Sequence, residues 1–242
     1  MSRPPLDYLS ADESFHDPLR ADAGRPEKAR AVVIPFGLEA SVSYGSGTAA
    51  GPEAILAASH QLELFDEELW REPYLDYGIA ALRAPAIAAP LDAALTQLAG
   101  IVEQLMEEGR FPLVLGGEHS LTAGAIRPFA ARYDDLVVLQ FDAHADLRDG
   151  YLGERYSHAS AMRRVLDHPR VQLVSVGIRA ISKEEADFAS ANRDRVHIFW
   201  GKDQAVWDID EIVKPLVGRP IYVTPGGQYT TSPTPYPLLV NC

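Results

Sequence analysis

The sequence predicts an α/β fold built on a mostly parallel sheet covered on both faces. Short apolar runs without a polar face alternate with helical patterns, as strands buried on both sides of a parallel sheet require. Several of these runs end in glycine or in a polar cluster, where such folds gather their chemistry. The chain has 242 residues, 47% apolar and 23% charged, which suits one large α/β domain or two small ones with a substantial core.

Residues 1–29 are polar, with Pro4, Pro5, Pro18 and Pro26 among acids and bases, and read as an extended arm with little core of its own. Residues 31–36 are the first apolar burst, short enough for a buried strand. A loop rich in Gly and Ser follows at 41–51. Gly51-Pro52-Glu53 then opens a helix, with proline at the first helical position and an acid at the positive end of its dipole. The clearest helix spans about 91–108, where Leu91, Ala94, Leu95, Leu98, Val102, Leu105 and Met106 form one stripe and Gly109 supplies a left-handed stop.

Residues 111–115 make a strand that feeds the Gly116-Gly117 turn, and 136–141 make another that enters a polar cluster. A third runs over 171–176 and ends at Gly177. Ser182-Lys183-Glu184-Glu185 is a capping box that starts a helix. Residues 196–200 form a further strand, 208–216 a helix and 221–223 one more strand. No internal repeat is visible.

The formal charge of −12 argues against nucleic acid or an anionic membrane as a partner, because neutralising phosphates takes a basic patch. There is no run of about 18 apolar residues and no charged-then-apolar N-terminus, so neither a membrane span nor a signal peptide is expected. Cys242, the last residue, is the sole cysteine, which excludes an intramolecular disulfide and a cysteine-based zinc site. The expected compartment is the cytoplasm.

The strongest chemical signal is Asp142-Ala143-His144-Ala145-Asp146, directly after the strand at 136–141. If the chain stays extended, positions i, i+2 and i+4 project together, so Asp142, His144 and Asp146 would share one side. Two such carboxylates repel each other unless a divalent cation compensates them. Oxygen and imidazole donors without thiolate suit manganese, iron or zinc. The competing reading is a solvated loop whose acids cap the next helix. A second cluster, Gly116-Gly117-Glu118-His119-Ser120, also follows a strand and would present His119 at the same rim. Two strand ends carrying metal-type side chains favour the metal reading over the loop. His158 stands in Tyr156-Ser157-His158, while His16, His60, His168 and His197 have no motif around them and read as structural or solvated.

Gly-Gly-Glu-His-Ser at 116–120 followed by Phe-Asp-Ala-His-Ala-Asp at 141–146 resembles the ureohydrolase family of arginases, agmatinases, formiminoglutamases and guanidino-acid hydrolases. The resemblance extends through Leu147-Arg148-Asp149, the Tyr156 to Arg164 stretch, Val176-Gly177-Ile178-Arg179 and the segment from Ser43-Tyr44 to Gly51-Pro52. It covers roughly residues 30–224 and is most like bacterial agmatinases.

It implies a three-layer α/β/α sandwich, C-terminally incomplete here, and a dinuclear manganese (Mn2+) centre. His119, Asp142 and Asp146 match ligands of one ion, His144 a ligand of the other, and Asp142 a bridging, catalytic carboxylate. The implied reaction is hydrolysis of a guanidino compound, agmatine first, to urea and an amine, as in polyamine biosynthesis. Water activated by the cations attacks the guanidinium carbon. His158 matches a catalytic histidine that moves protons or positions the leaving amine. A homo-oligomer, trimer or hexamer, is implied for the complete fold.

After the strand at 220–224 the family carries a D-x-D pair, a following D-P and a later glutamate that receives the guanidinium. Here no acidic residue occurs from Pro220 to Cys242, and 225–242 reads as an irregular tail outside the family pattern. A shifted reading frame or truncated gene model is the leading expectation, with a natural variant as the alternative. Asp208-Ile209-Asp210 has the D-x-D form but reads as a helix start. The chain is therefore expected to hold one ion or fewer tightly, to be weakly active or inactive, and to leave a sheet edge uncovered. Three further readings stand beside the agmatinase one: a non-catalytic metal-binding or partner subunit, a ureohydrolase for another guanidino acid, and a zinc deacetylase on a related layout.

Overall fold

The computed structural model describes residues 5–226, so nearly all of the tail at 225–242 lies outside the described residues. The elements in order are β1 (Ala31–Phe36), α1 (Gly51–Ser59), α2 (Tyr74–Tyr77), β2 (Ile79–Ala81), α3 (Leu91–Glu107), β3 (Phe111–Gly116) and α4 (Thr122–Arg132). They continue as β4 (Val137–Phe141), α5 (Ala161–Val165), β5 (Gln172–Ile178), α6 (Lys183–Ala191), β6 (Val196–Trp200), α7 (Ile209–Val213) and β7 (Ile221–Pro225). Every strand pairing is parallel.

The strands form two sheets, ordered β2-β1-β3 and β6-β5-β4-β7, where the sequence suggested one. Val114 and Gly116 of β3 and Tyr222 and Thr224 of β7 line a common cavity of about 20 Å³. Among the described residues no strand joins β3 to β7, so the division falls between these two edges.

Each sheet is covered on both faces, which is why its strands are largely apolar. All six residues of β1 are buried. Val32, Ile34 and Phe36 face the stripe Leu95, Leu98 and Leu105 of α3, whereas Ala31 and Val33 pack with Ile55 and Leu56 of α1. In the second sheet Val138 and Leu173 meet Met162 and Val165 of α5, while Val137 and Val174 meet Ile212 of α7 and Leu216 beyond it. Each fully buried leucine of this kind stabilises the fold by about 1.5–3 kcal/mol.

The helix-end signals are realised. Gly109 sits at φ +72° and stops α3. Ser182 and Glu185 form the reciprocal capping box of α6, with the Ser182 N–H donating to Glu185 Oε2 at 2.7 Å. Asp208 caps α7 by accepting from the Asp210 N–H at 3.0 Å, and α7 is shorter than the expected 208–216. Helix α4 gives no clear signal in the sequence. Pro128 lies inside it, and its buried residues Thr122, Ala123, Gly124, Ala125 and Ile126 are consecutive and, except for Ile126, small, instead of forming a stripe.

The N-terminal stretch is laid against the first sheet. Tyr8 bridges Leu82, the Leu9 N–H donates to Ala81, and Leu6 and Tyr8 pack on the first core cluster. Arg20 is buried and donates to the Ile79 carbonyl at 2.7 Å. No helix among the described residues is long and apolar enough to cross a membrane.

Candidate metal centre

The carboxyl ends of β3 and β4 deliver the chemistry. The chain leaves β3 through Gly117, where a side chain would strike the Leu38 carbonyl, so glycine lets the loop after β1 close over the turn. A single 3-10 turn, His119–Leu121, then aims His119 across the gap between the sheets. Its Nδ1 lies 2.6 Å from Asp146 Oδ2 and 3.3 Å from Asp142 Oδ2. One donor atom from each of His119, Asp142 and Asp146 falls within 4.8 Å of the other two, the spacing of a cation site.

Asp142 and Asp146 reach this point by a route the extended-chain expectation does not contain. Beyond Phe141 the backbone turns, with the His144 N–H donating back to Asp142 Oδ1 at 2.9 Å and Asp146 at φ +52°. The turn brings Asp146 beneath His119 and swings His144 outward. His144 is half exposed, its Nδ1 3.7 Å from Asp142 Oδ1, and it stands outside the three-donor group while lining the same cleft. The two oxygens of Asp142 thus face different imidazoles. Buried Gln140 steadies the turn by donating to the His144 carbonyl at 3.1 Å and to Asp142 Oδ2 at 3.3 Å.

The electrostatics show how the protein compensates two buried carboxylates. Burial pushes the His119 imidazole down, but its hydrogen bonds to Asp142 and Asp146 outweigh this and raise it to about 10. Burial also raises Asp142, yet the hydrogen bond and charge of His119 hold it below the usual carboxylate value. Asp146 is raised, chiefly by burial, with the Asp142 charge adding to it. The imidazole thus favours the charge that balances the carboxylates, and one imidazole with two carboxylates is a donor set that fits a divalent cation.

Thr224 of β7 orients His119 from the other side. The His119 Nε2 is 3.0 Å from Thr224 Oγ1, which is 3.0 Å from Thr122 Oγ1. Two positions on, just past the end of β7, stands Gly226. A side chain there would run into the Asp142 carboxylate and approach His119 Nδ1, so that strand end faces the donors without contributing one.

His158 lies on the opposite wall. It lines both the narrow cleft over the donors and an adjoining one of about 420 Å³, where Tyr44, Arg148, Tyr151 and Glu185 continue the wall. Its ring is held by Ser43 Oγ, 3.0 Å from Nε2, and Ser41 Oγ, 3.3 Å from Nδ1. Buried Glu118 ties down the Ser41 loop. Sequence reasoning gave Glu118, Ser41, Ser43 and Thr224 no role. Glu118 was at least visible beside His119, whereas Thr224 meets it only through the fold. The other histidines are elsewhere, His60 donating to the Ser14 carbonyl at 2.7 Å for instance.

A layered α/β domain with a histidine and two aspartates meeting at the carboxyl ends of parallel strands defines a candidate metal-binding protein of this fold class. A profile of the arginase family matches residues 29–225. The chain is 36% identical over 207 residues to the N(1)-aminopropylagmatine ureohydrolase of Synechocystis sp., covering 81% of this chain and 66% of that protein. It is 35% identical over 212 residues to the agmatinase of Bacillus subtilis, covering 84% and 69%. The agmatine ureohydrolase of Thermoplasma volcanium superposes with a TM-score of 0.73 at 30% identity, over 85% of this chain and 69% of that one. The chain belongs to the arginase family. It spans about two thirds of the length of the curated relatives it matches.

Proposed function

We propose that this chain carries the site of a manganese-dependent ureohydrolase acting on a small guanidino compound, agmatine or its aminopropyl derivative. The observation that carries this reading is the convergence of His119, Asp142 and Asp146 within 4.8 Å, in a chain of this family. His119, Asp142 and Asp146 would hold one ion, and His144 with the second oxygen of Asp142 offers a weaker place for another. Bound there, divalent manganese would neutralise the two carboxylates and make a nearby water easier to deprotonate.

The reaction is R–NH–C(NH2)2+ plus H2O giving urea and R–NH3+. A C–O bond forms, the C–N bond to the substituted nitrogen breaks, and the two water protons pass to the products. The cleft of about 420 Å³ takes the substrate's tail. His158, between that cleft and the donors, carries a proton towards the leaving nitrogen, and Asp142 sets the position of the reacting centre. Either relative's substrate fits these requirements, because each presents the same guanidinium group. The family likeness also supports a homo-oligomer of three or six subunits, which sedimentation would reveal.

The test is urea release from agmatine, N(1)-aminopropylagmatine, arginine and 4-guanidinobutyrate with added Mn2+. Turnover of either of the first two supports the proposal. Silence on all four, with manganese binding seen by calorimetry, replaces it with a second reading, a non-catalytic metal-binding subunit. Gly226 favours that alternative, since the end of β7 reaches the donors without a ligand.

A further inference from the structure

We propose that Glu118 and Ser41 are positioning residues that hold His158 as the tautomer protonated on Nδ1, leaving Nε2 as its proton-accepting atom. Glu118 is 7% exposed and fully engaged. Its Oε2 accepts from the backbone N–H groups of Ala40 and Ser41, both at 2.8 Å. Its Oε1 accepts from Ser41 Oγ at 2.7 Å and from Ser120 Oγ at 2.5 Å.

A serine hydroxyl has one proton to give, and that of Ser41 is given to Glu118. Towards His158 it can only accept. It does so from the His158 backbone N–H at 2.9 Å, and it lies 3.3 Å from Nδ1. Nδ1 must therefore carry the hydrogen, an assignment fixed by the hydrogen-bond network. Nε2 then keeps its lone pair and accepts from Ser43 Oγ at 3.0 Å. The competing donor is Ser157 Oγ, 3.4 Å from Nδ1, and it would favour the opposite tautomer. Ser43 lies on the wall of the large cleft, so the basic nitrogen is on the substrate side.

The geometry also says what Glu118→Gln should do. Two backbone N–H groups fix the amide oxygen at the Oε2 position, which puts the NH2 group where Oε1 was. That NH2 donates to Ser41 Oγ, freeing the serine proton for Nδ1 and inverting the tautomer of His158.

The catalytic use of Nε2 rests on the ureohydrolase reading, but the tautomer does not. It is tested on the whole metal-free chain by 15N NMR of histidine-labelled protein, at a pH of about 9, well above the ordinary histidine range. A His158→Ala spectrum makes the assignment. Expected is a protonated-type Nδ1 and an unprotonated-type Nε2 in the native protein, exchanged in Glu118→Gln, with the Nδ1–H form lost in Ser41→Ala. Should Glu118→Gln not fold, the native and Ser41→Ala spectra decide. A native Nδ1 of unprotonated type, or a tautomer unchanged in Glu118→Gln or Ser41→Ala, overturns the proposal. Lack of urea release alongside the expected spectra would reject the reaction and leave the positioning network standing.

Discussion

His119 Nδ1 and Asp146 Oδ2 lie 2.6 Å apart although 27 positions separate them in sequence. His119 follows β3 of the three-stranded sheet and Asp146 follows β4 of the four-stranded one, so their contact crosses between sheets that share no backbone ladder among the described residues. A cation between them would tie the two halves together, and its effect should therefore be visible in global stability.

Manganese should stabilise the chain against heat. At a concentration 100 times its Kd the gain is about 2.7 kcal/mol, which corresponds to a rise in Tm of roughly 5–10 °C for a protein of this size. His119→Ala or Asp146→Asn should abolish the shift, and a chelator should reverse it in the native protein. Differential scanning fluorimetry reads all of these, and a shift that survives both substitutions would place the ion elsewhere.

Gly226→Ala should weaken manganese binding by about tenfold, or about 1.4 kcal/mol. A Cβ at 226 would run into Asp142 Oδ2 and crowd His119 Nδ1, so it pushes a donor out of place. Without metal the same variant should also be less stable than the native chain, because the displaced carboxylate loses its contact with His119. Isothermal calorimetry and a melt without metal measure the two effects, and an unchanged Kd refutes the geometry.

Acid should weaken the loop that leads from the donors to α5. Asp149 Oδ1 accepts from Arg164 Nη2 at 2.6 Å, and Arg164 is buried. The hydrogen bond from Arg164 holds the Asp149 carboxyl below its ordinary 3.8 against the opposing effect of burial, with the charges of Arg163, Arg164 and Arg155 adding to it. A carboxyl lowered on folding contributes stability that is complete above the unfolded value and lost as pH falls through the folded one. The loss therefore develops below pH 3.8. Asp149→Asn should cost on the order of 1 kcal/mol at neutral pH, a magnitude set by the exposure of the aspartate. Urea melts of both proteins at pH 7 and pH 3 should show the difference shrinking in acid.

Leu98→Ala should cost about 2–5 kcal/mol, since the residue is wholly enclosed between α3 and β1 and its removal leaves a cavity. Leu19→Ala, at a site 90% exposed, should stay within about 0.5 kcal/mol of native. Chemical denaturation of the two variants compares them directly, and equal costs would contradict the packing described.

Much of this was legible along the chain. The stripe of α3, the capping box at Ser182 and Glu185 and the cap at Asp208 are local patterns, decided by neighbours a few residues away, and the structure keeps them. Asp142, Asp146 and His119 could be nominated from residue type and their place after apolar runs. Their angular arrangement could not, because alternation along an extended chain ends where the His144 N–H bonds back to Asp142 and Asp146 enters the left-handed region. Helix α4 leaves no periodic signal because its buried face is made mostly of small residues and is interrupted by Pro128.

By itself the sequence determined the chemical inventory and the strand ends that carry it, since short-range periodicity, caps and motif residues are written locally. Tertiary structure decided which donors meet, that His144 stands apart, that Thr224 and Glu118 brace the two histidines, and that the strands divide into two sheets. Those outcomes depend on distances between residues remote in order, and only the packing of helices onto the sheets sets such distances.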